Sequence, residues 1–220
     1  MQARALRKNS FASRGLFGGR LFCGAPQTKM NDTDGITANV ESTARHEAAH
    51  LVIAALQSLR LRPEGLAVDA SGFGLACYYS ATDGDEASLE RNVVATLAGF
   101  AAEERFREER SYPARDFLDV TFNSDIRIAR ELLAKLAGEY FANESRLANR
   151  LEQLIDRHWL AIEALATALL AKPWEPLRPL KSGGRWAHEN ENIAKYLSGV
   201  EVVSILSEHR ILAVCDWAEY

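Results

Sequence analysis

The sequence has few of the residues on which disulfide-bonded, nucleic-acid-binding and membrane-spanning proteins depend. It contains three cysteines, Cys23, Cys77 and Cys215, and no Cys-x-x-Cys pair. This argues against a disulfide framework or a cysteine zinc site and favours a reducing, cytoplasmic location. The net charge of −4 argues against a nucleic-acid partner, which needs a basic patch. Charged residues interrupt every apolar stretch before it reaches about 18 residues, so no transmembrane helix is predicted.

Acidic residues are absent from the first 31 positions. The basic residues of this segment are Arg4, Arg7, Lys8, Arg14, Arg20 and Lys29. Such a composition resembles an organelle transit peptide, although Met30 offers a second start and would make the preceding residues an upstream extension. We expect residues 1–38 to be a basic, disordered leader. Residues 39–220 are sufficient for a single domain with a full hydrophobic core.

A His-Glu-x-x-His motif stands at positions 46–50, with the sequence HEAAH. On a helix, residues four apart share a face, so the imidazoles of His46 and His50 could bind one metal ion. Glu47 would then lie at the flank of that face, where it could act on a water bound to the metal. The motif therefore predicts half of a catalytic zinc site.

The residues around the motif favour a buried helix from Glu41 to Leu59. Asn39 or Ser42 could cap its start, and Pro63 with Gly65 follows its end. The segment is apolar around most of its circumference, which is typical of a helix inside a core. Two histidines and a glutamate in that position need partners, because an unpaired buried polar group costs a few kcal/mol. A metal would satisfy all three, and a hydrogen-bonded pair of core histidines is the alternative.

The rest of the chain predicts a mainly α (α+β) fold with a small β element beside the motif helix. Two β-prone runs, Leu66–Asp69 and Leu75–Tyr79, flank the turn sequence SGFG at 71–74. Further helices are predicted at Glu86–Glu109, Ser124–Phe141, Ser145–Lys172 and Ser198–Leu212, with a loop at Ser111–Phe122 and an irregular, proline- and glycine-containing insertion around 173–191.

A catalytic zinc ion usually has a third protein ligand, and the residues alone leave its identity open. The other histidines lie far along the chain in polar or surface patterns: His158, His188 and His209. Glu103 or Glu104 could serve from the helix after the hairpin, although that charge-rich turn is typical of a solvated face. Asp125 stands in the first turn of the next helix, where an acidic residue also interacts favourably with the helix dipole.

The order of these blocks resembles the peptidase domain of the FtsH-type ATP-dependent zinc metalloproteases. RHEAAH at 45–50 matches that family's H-E-A-G-H helix, and AGFAAEERF at 98–106 matches its G-G-R-A-A-E-E helix. NSD at 123–125 matches the S-N-D segment that carries the family's third zinc ligand. The resemblance covers about residues 43–212. It implies that His46, His50 and Asp125 bind Zn²⁺ and that Glu103 and Glu104 are structural helix residues.

The resemblance also implies an activity, namely metallopeptidase cleavage of unfolded or flexible polypeptides with Glu47 as the general base on a zinc-bound water. The strand at 72–79 is expected to bind substrate backbone as an added β-strand. Two features depart from the family. Ala49 replaces the motif glycine, and the 220 residues contain no G-x-x-x-x-G-K-[ST] loop. We therefore expect a zinc metalloendopeptidase that is ATP-independent on its own chain and could borrow an AAA+ ATPase in trans. A non-catalytic metal-binding module and a different zinc hydrolase are the alternatives, and the sequence leaves the oligomeric state open.

Overall fold

A computed structural model describes residues 32–110, 124–178 and 193–215, and it confirms the mainly α (α+β) class. The helices are α1 (Asp32–Leu56), α2 (Glu86–Glu109), α3 (Ser124–Leu133), α4 (Tyr140–Leu170) and α5 (Gly199–Glu208). The strands are β1 (Leu61–Asp69), β2 (Gly74–Tyr78), β3 (Glu175–Pro176) and β4 (Ile193–Leu197). Within the described ranges, no helix is both long enough and apolar enough to cross a bilayer.

Helix α1 carries the His-Glu-x-x-His motif and runs through the centre of the core. Leu51, Val52 and Ile53 are completely buried, because α2, α4 and the β1–β2 hairpin pack around the helix. The prediction that Asn39 or Ser42 caps its start is wrong, since the helix begins at Asp32. The Asn39 amide donates instead to the carbonyl of Ser71 at 3.1 Å, and this tertiary contact replaces the predicted cap.

Helix α2 has the predicted bounds and packs along α1. The Asp85 side chain caps its first turn by accepting a hydrogen bond from the Ser88 amide at 2.7 Å. Its small residues Ala95, Ala98 and Ala102 are buried, and Ala95 and Gly99 lie directly against the histidines of α1. Their size lets the two helices approach closely at the level of the histidines.

The boundary between the predicted third and fourth helices lies earlier in the chain than the periodicity indicated. Helix α3 ends at Leu133 rather than Phe141, and α4 begins at Tyr140 rather than Ser145. Gly138 lies between them with φ +93°, a left-handed conformation that glycine adopts without a steric penalty. The side-chain amide of Asn143 closes the turn by donating to the carbonyl of Ala137 at 2.9 Å.

The predicted hairpin is confirmed and forms one side of a four-stranded antiparallel sheet in the order β2-β1-β4-β3. Strand β1 starts earlier than predicted, at Leu61, and its register with β2 shifts between Leu61 and Leu66. Pro63 and Gly65 lie in this irregular stretch, where a residue without an amide donor and one with positive φ are tolerated. Strand β2 is an edge of the sheet.

Strands β3 and β4 were not predicted, and β4 follows an insertion that was expected to be irregular. The predicted loop Ser111–Phe122 and residues 179–192 of the insertion lie outside the described residues. Helix α5 begins where predicted, after a capping box in which Ser198 and Glu201 each bond to the other's backbone. It ends at Glu208 rather than Leu212.

Candidate metal centre

The helical geometry of α1 places both motif histidines on the face that meets α2 and α3. Their rings meet edge to face, with centroids 4.8 Å apart and an interplanar angle of 71°. The two Nε2 atoms are 3.1 Å apart. The four-residue spacing therefore brings one nitrogen of each ring close enough to bind the same metal ion, as the motif predicts.

Asp125 completes a cluster of three ligand-type atoms. Its Oδ2 lies 3.0 Å from His46 Nε2 and 3.3 Å from His50 Nε2. The carboxylate comes from the first turn of α3, whose residues Ile126 and Ala129 are buried against the neighbouring helices. Burial alone would raise the pKa of Asp125, but hydrogen bonds from the Nε2 atoms of His46 and His50, when these atoms carry a proton, outweigh it and hold that pKa well below its ordinary value. Asp125 is thus an anion facing two imidazoles.

The other nitrogen of each ring has its own hydrogen-bond partner, and both partners belong to α2. His50 Nδ1 lies 2.8 Å from the carbonyl oxygen of Ala95, and His46 Nδ1 lies 3.2 Å from Glu103 Oε2. Because both partners are acceptors, we assign the proton of each neutral ring to Nδ1. When neither Nε2 atom carries a proton, as metal binding requires, both point lone pairs at Asp125.

This arrangement of lone pairs fits a metal ion. With both rings in this neutral form, three acceptor atoms lie within 3.0–3.3 Å of one another, and a proton or a metal ion among them relieves their repulsion. A cation bound by His46, His50 and Asp125 supplies a positive charge and satisfies all three side chains. Together these residues form a group that could hold a metal ion.

Gly99 on α2 provides the space beside the histidines. A Cβ at this position would lie 2.4 Å from His50 Nε2 and 2.5 Å from His46 Nε2, closer than any side-chain carbon normally comes. The glycine therefore leaves open a volume that touches both ligand-type nitrogens, where any side chain would collide with them.

Glu47 lies beside the cluster, as the motif predicts. Its Oε1 is 4.0 Å from His46 Nε2, and the residue is only 8% exposed. Burial raises the pKa of Glu47; the neighbouring His46 and His50 lower it, and the negative charge of Asp125 raises it further. A carboxylate whose pKa is raised by desolvation is a stronger base toward a neighbouring water molecule.

The cluster opens into a cleft of about 410 Å³ bounded by α1, the β1–β2 turn and β2. Two bonds fasten the turn to α1, since Thr43 Oγ1 donates to the carbonyl of Gly72 at 2.8 Å and Asn39 donates to Ser71. Tyr78 lines the cleft and lies nearly parallel to the His50 ring, with centroids 6.4 Å apart. Burial raises the pKa of Tyr78 to about 12, so its hydroxyl keeps its proton throughout the neutral range.

The other candidate ligands lie away from the ligand-type atoms. Glu103 contacts the opposite side of the His46 ring from Asp125, and Glu104 does not line the cleft. His158 occupies a kink in α4, where φ is −112°, and His209 caps the end of α5. His188 lies outside the described residues. The contacts of Glu103, Gly99 and Tyr78 with the histidines were not predicted from the sequence, because they depend on how α2 and β2 pack against α1.

Together, the fold and the cluster define a mainly helical α+β domain with a candidate metal centre at the base of an open cleft. Comparison with models of protein families gives no match, and no curated protein matches the chain.

Proposed function

We propose that this protein is a zinc metallopeptidase that hydrolyses peptide bonds in unfolded or flexible polypeptides. One observation carries the proposal: a two-histidine, one-aspartate cluster and a buried glutamate with raised pKa lie together at the base of a cleft bounded by an edge strand. The resemblance of the motif order to FtsH-type peptidases supports the same activity. That family's peptidase sites use the same residue types in the same order.

Zinc is the metal that this donor set suits best. Two imidazole nitrogens and one carboxylate oxygen are typical of catalytic zinc sites, which leave a further position for water. Ligand atoms on a tetrahedral zinc ion, each about 2.0–2.1 Å from the metal, lie about 3.3 Å apart. The separations here are 3.0–3.3 Å, so the three side chains need little movement to bind.

When bound, zinc lowers the pKa of a water molecule toward neutrality and polarises the carbonyl of the scissile bond. Glu47 accepts the proton that the attacking water loses, holds it in its buried carboxyl group and passes it to the leaving amine. Asp125 contributes a negative charge that two neutral imidazoles do not, which strengthens binding of a divalent cation. The histidines and Asp125 come from different helices, so α1 and α3 together set the geometry.

The cleft favours an extended substrate. Residues 72–76 and Tyr78 line one wall, and among the described residues no strand pairs with the outer edge of β2, which ends the sheet. A peptide that adds to this edge would gain backbone hydrogen bonds with little dependence on its sequence. Only an unfolded or flexible chain can present its backbone in this way. Delivery of folded substrates by an AAA+ ATPase acting in trans stays a prediction.

The decisive experiment compares the wild-type chain with Glu47→Gln for zinc content and for cleavage of casein. We expect about one zinc ion in both proteins and a loss of at least about 100-fold in kcat for the variant, as for removal of a general base. Glu131→Gln, which changes an exposed glutamate on α3, is the matched control and should cleave normally.

Equal cleavage by the wild-type chain and Glu47→Gln would contradict the peptidase mechanism. Bound zinc without cleavage of casein or of a peptide library by the wild-type chain would instead support the non-catalytic metal-binding module. Absence of bound zinc would remove both interpretations.

A further inference from the structure

Helix α2 presents three residues to the two histidines at intervals of one helical turn. Ala95 and Glu103 accept the Nδ1–H protons of His50 and His46, and Gly99 lies one helical turn from each of them, beside both Nε2 atoms. We refer to Ala95, Gly99 and Glu103 as the α2 stripe. The spacing of four residues places all three on one face of α2.

The two histidines are not held in equivalent ways. The partner of His50 is a main-chain carbonyl, whose position is fixed by the helix itself. The partner of His46 is a side chain that could take several rotamers, yet Glu103 is only 5% exposed and lies within hydrogen-bond distance of Nδ1. A buried carboxylate needs a donor, and the His46 N–H is one that its position provides.

We propose that Glu103 is a positioning residue for the metal centre, which fixes the tautomer and the orientation of His46 so that Nε2 is available to the metal. This inference rests on the proposed metal-binding function and assigns Glu103 a role that neither the motif nor the resemblance gives it. Partners of this kind increase the basicity of a ligating imidazole and fix its ring plane.

The geometry excludes direct ligation by Glu103 in the same site. The two nitrogens of an imidazole lie on opposite sides of the ring, and the Nε2 of His46 is the atom that faces Asp125 and His50. Oε2 of Glu103 lies at Nδ1, so a metal ion bound to Nε2 is separated from it by the ring. Glu103 therefore acts on the metal only through His46.

The test measures zinc affinity of the full chain by competition with a chromogenic chelator. Glu103→Met keeps the bulk of the side chain but removes the acceptor, and we expect zinc affinity to fall by about 10–100-fold. Glu103→Gln should restore most of that affinity, because its amide oxygen still accepts the Nδ1–H. The matched control is Glu104→Met on the adjacent position of α2, which should bind zinc as the wild-type chain does.

Two further measurements separate positioning from ligation and from a purely structural role. X-ray absorption of the zinc-loaded Glu103→Met protein should show an unchanged number of nitrogen and oxygen ligands, and loss of one oxygen ligand would overturn the proposal. The Tm values of the metal-free variants should not follow the order of their zinc affinities, as they would if Glu103 had a purely structural role. A Glu103→Met protein that binds zinc as tightly as the wild-type chain would also overturn it, while leaving the proposed peptidase activity standing. Zinc binding without proteolysis would instead contradict the proposed peptidase activity and leave the role of Glu103 standing.

Discussion

Gly74 at the start of β2 packs directly against the side chain of Glu47. A Cβ at Gly74 would lie 2.4 Å from Glu47 Cγ and 2.5 Å from its Oε1. The same Cβ would meet the Thr43 methyl group at 2.6 Å. The edge strand and the proposed general base are therefore fitted to each other, and the absence of a side chain at position 74 determines where the Glu47 carboxylate lies.

The substitution Gly74→Ala tests this fit. The added methyl group must displace Glu47, and a shift of about 1 Å in a catalytic group can reduce kcat by about 100-fold. The atoms nearest the added methyl group belong to Glu47 and Thr43 rather than to the proposed metal ligands, so zinc content should stay at the wild-type level. Kinetics on a peptide substrate, together with metal analysis, check this outcome. Undiminished kcat would show that the position of Glu47 does not limit the reaction.

Gly99→Ala addresses the space beside the histidines. Alanine has a higher intrinsic helix propensity than glycine by about 0.8–1 kcal/mol, so the substitution by itself should favour α2. Its methyl group, however, would occupy the volume in contact with both Nε2 atoms. We expect zinc affinity to fall by at least about tenfold, since the rings must turn away from their hydrogen-bond partners.

Circular dichroism and thermal unfolding of the metal-free Gly99→Ala protein should show that the helix content is retained. Wild-type zinc affinity in this folded variant would mean that the metal lies on a different side of the rings from Gly99.

Arg45, the residue before the motif, connects α1 to the second half of α4. Its guanidinium donates to both carboxylate oxygens of Glu163 at 2.6 and 3.0 Å and lies 4.0 Å from the centroid of the Phe106 ring. Arg45→Ala would remove these contacts and leave Glu163 without this partner. Because Glu163 is partly exposed, we expect a loss of about 2–3 kcal/mol, less than for a fully buried pair.

Chemical denaturation of the metal-free protein measures this loss. Arg127→Ala, which breaks an exposed pair with Glu131, is the control and should change the free energy of unfolding by less than about 0.5 kcal/mol. Similar effects of the two substitutions would show that the Arg45–Glu163 pair contributes no more than a surface contact.

The sequence predicted those elements whose pattern is local. The bounds of α2 follow from continuous helical periodicity, and the His46–His50 face follows from helix geometry alone. Strand β4 was missed because five residues that include Lys195 and Tyr196 carry little strand signal without the pairing to β1. The start of α1 was misplaced because the contact of Asn39 with Ser71 is made between segments distant in sequence.

For the metal centre, the sequence indicated which residues could bind a metal more readily than which of them contact one another. From the residues alone, Asp125 was one of several candidates for the third ligand, and the resemblance to a known motif order selected it. Its approach to the histidines depends on the docking of α3, which periodicity does not encode. The residues alone make Glu103 a candidate ligand, and the resemblance implies a structural helix residue. Its contact with the far side of the His46 ring follows only from the packing of α2 on α1.

The junction before α5 should make the stability of the fold sensitive to acid. Glu201 accepts hydrogen bonds from Lys172 and Ser198, which lower its pKa to about 2 from 4.5. A group whose pKa is lower in the folded than in the unfolded state stabilises the fold above the unfolded value, and this contribution is lost as pH falls through the folded value.

Glu201→Gln should therefore lower Tm relative to the wild-type chain at pH 6, and the difference should shrink between about pH 4.5 and pH 2. Because the Glu201 side chain is 42% exposed, solvent and salt should weaken the effect, and high salt should reduce the difference at pH 6. A difference in Tm that is the same at pH 6 and pH 2 would assign the loss to the capping geometry rather than to the charge.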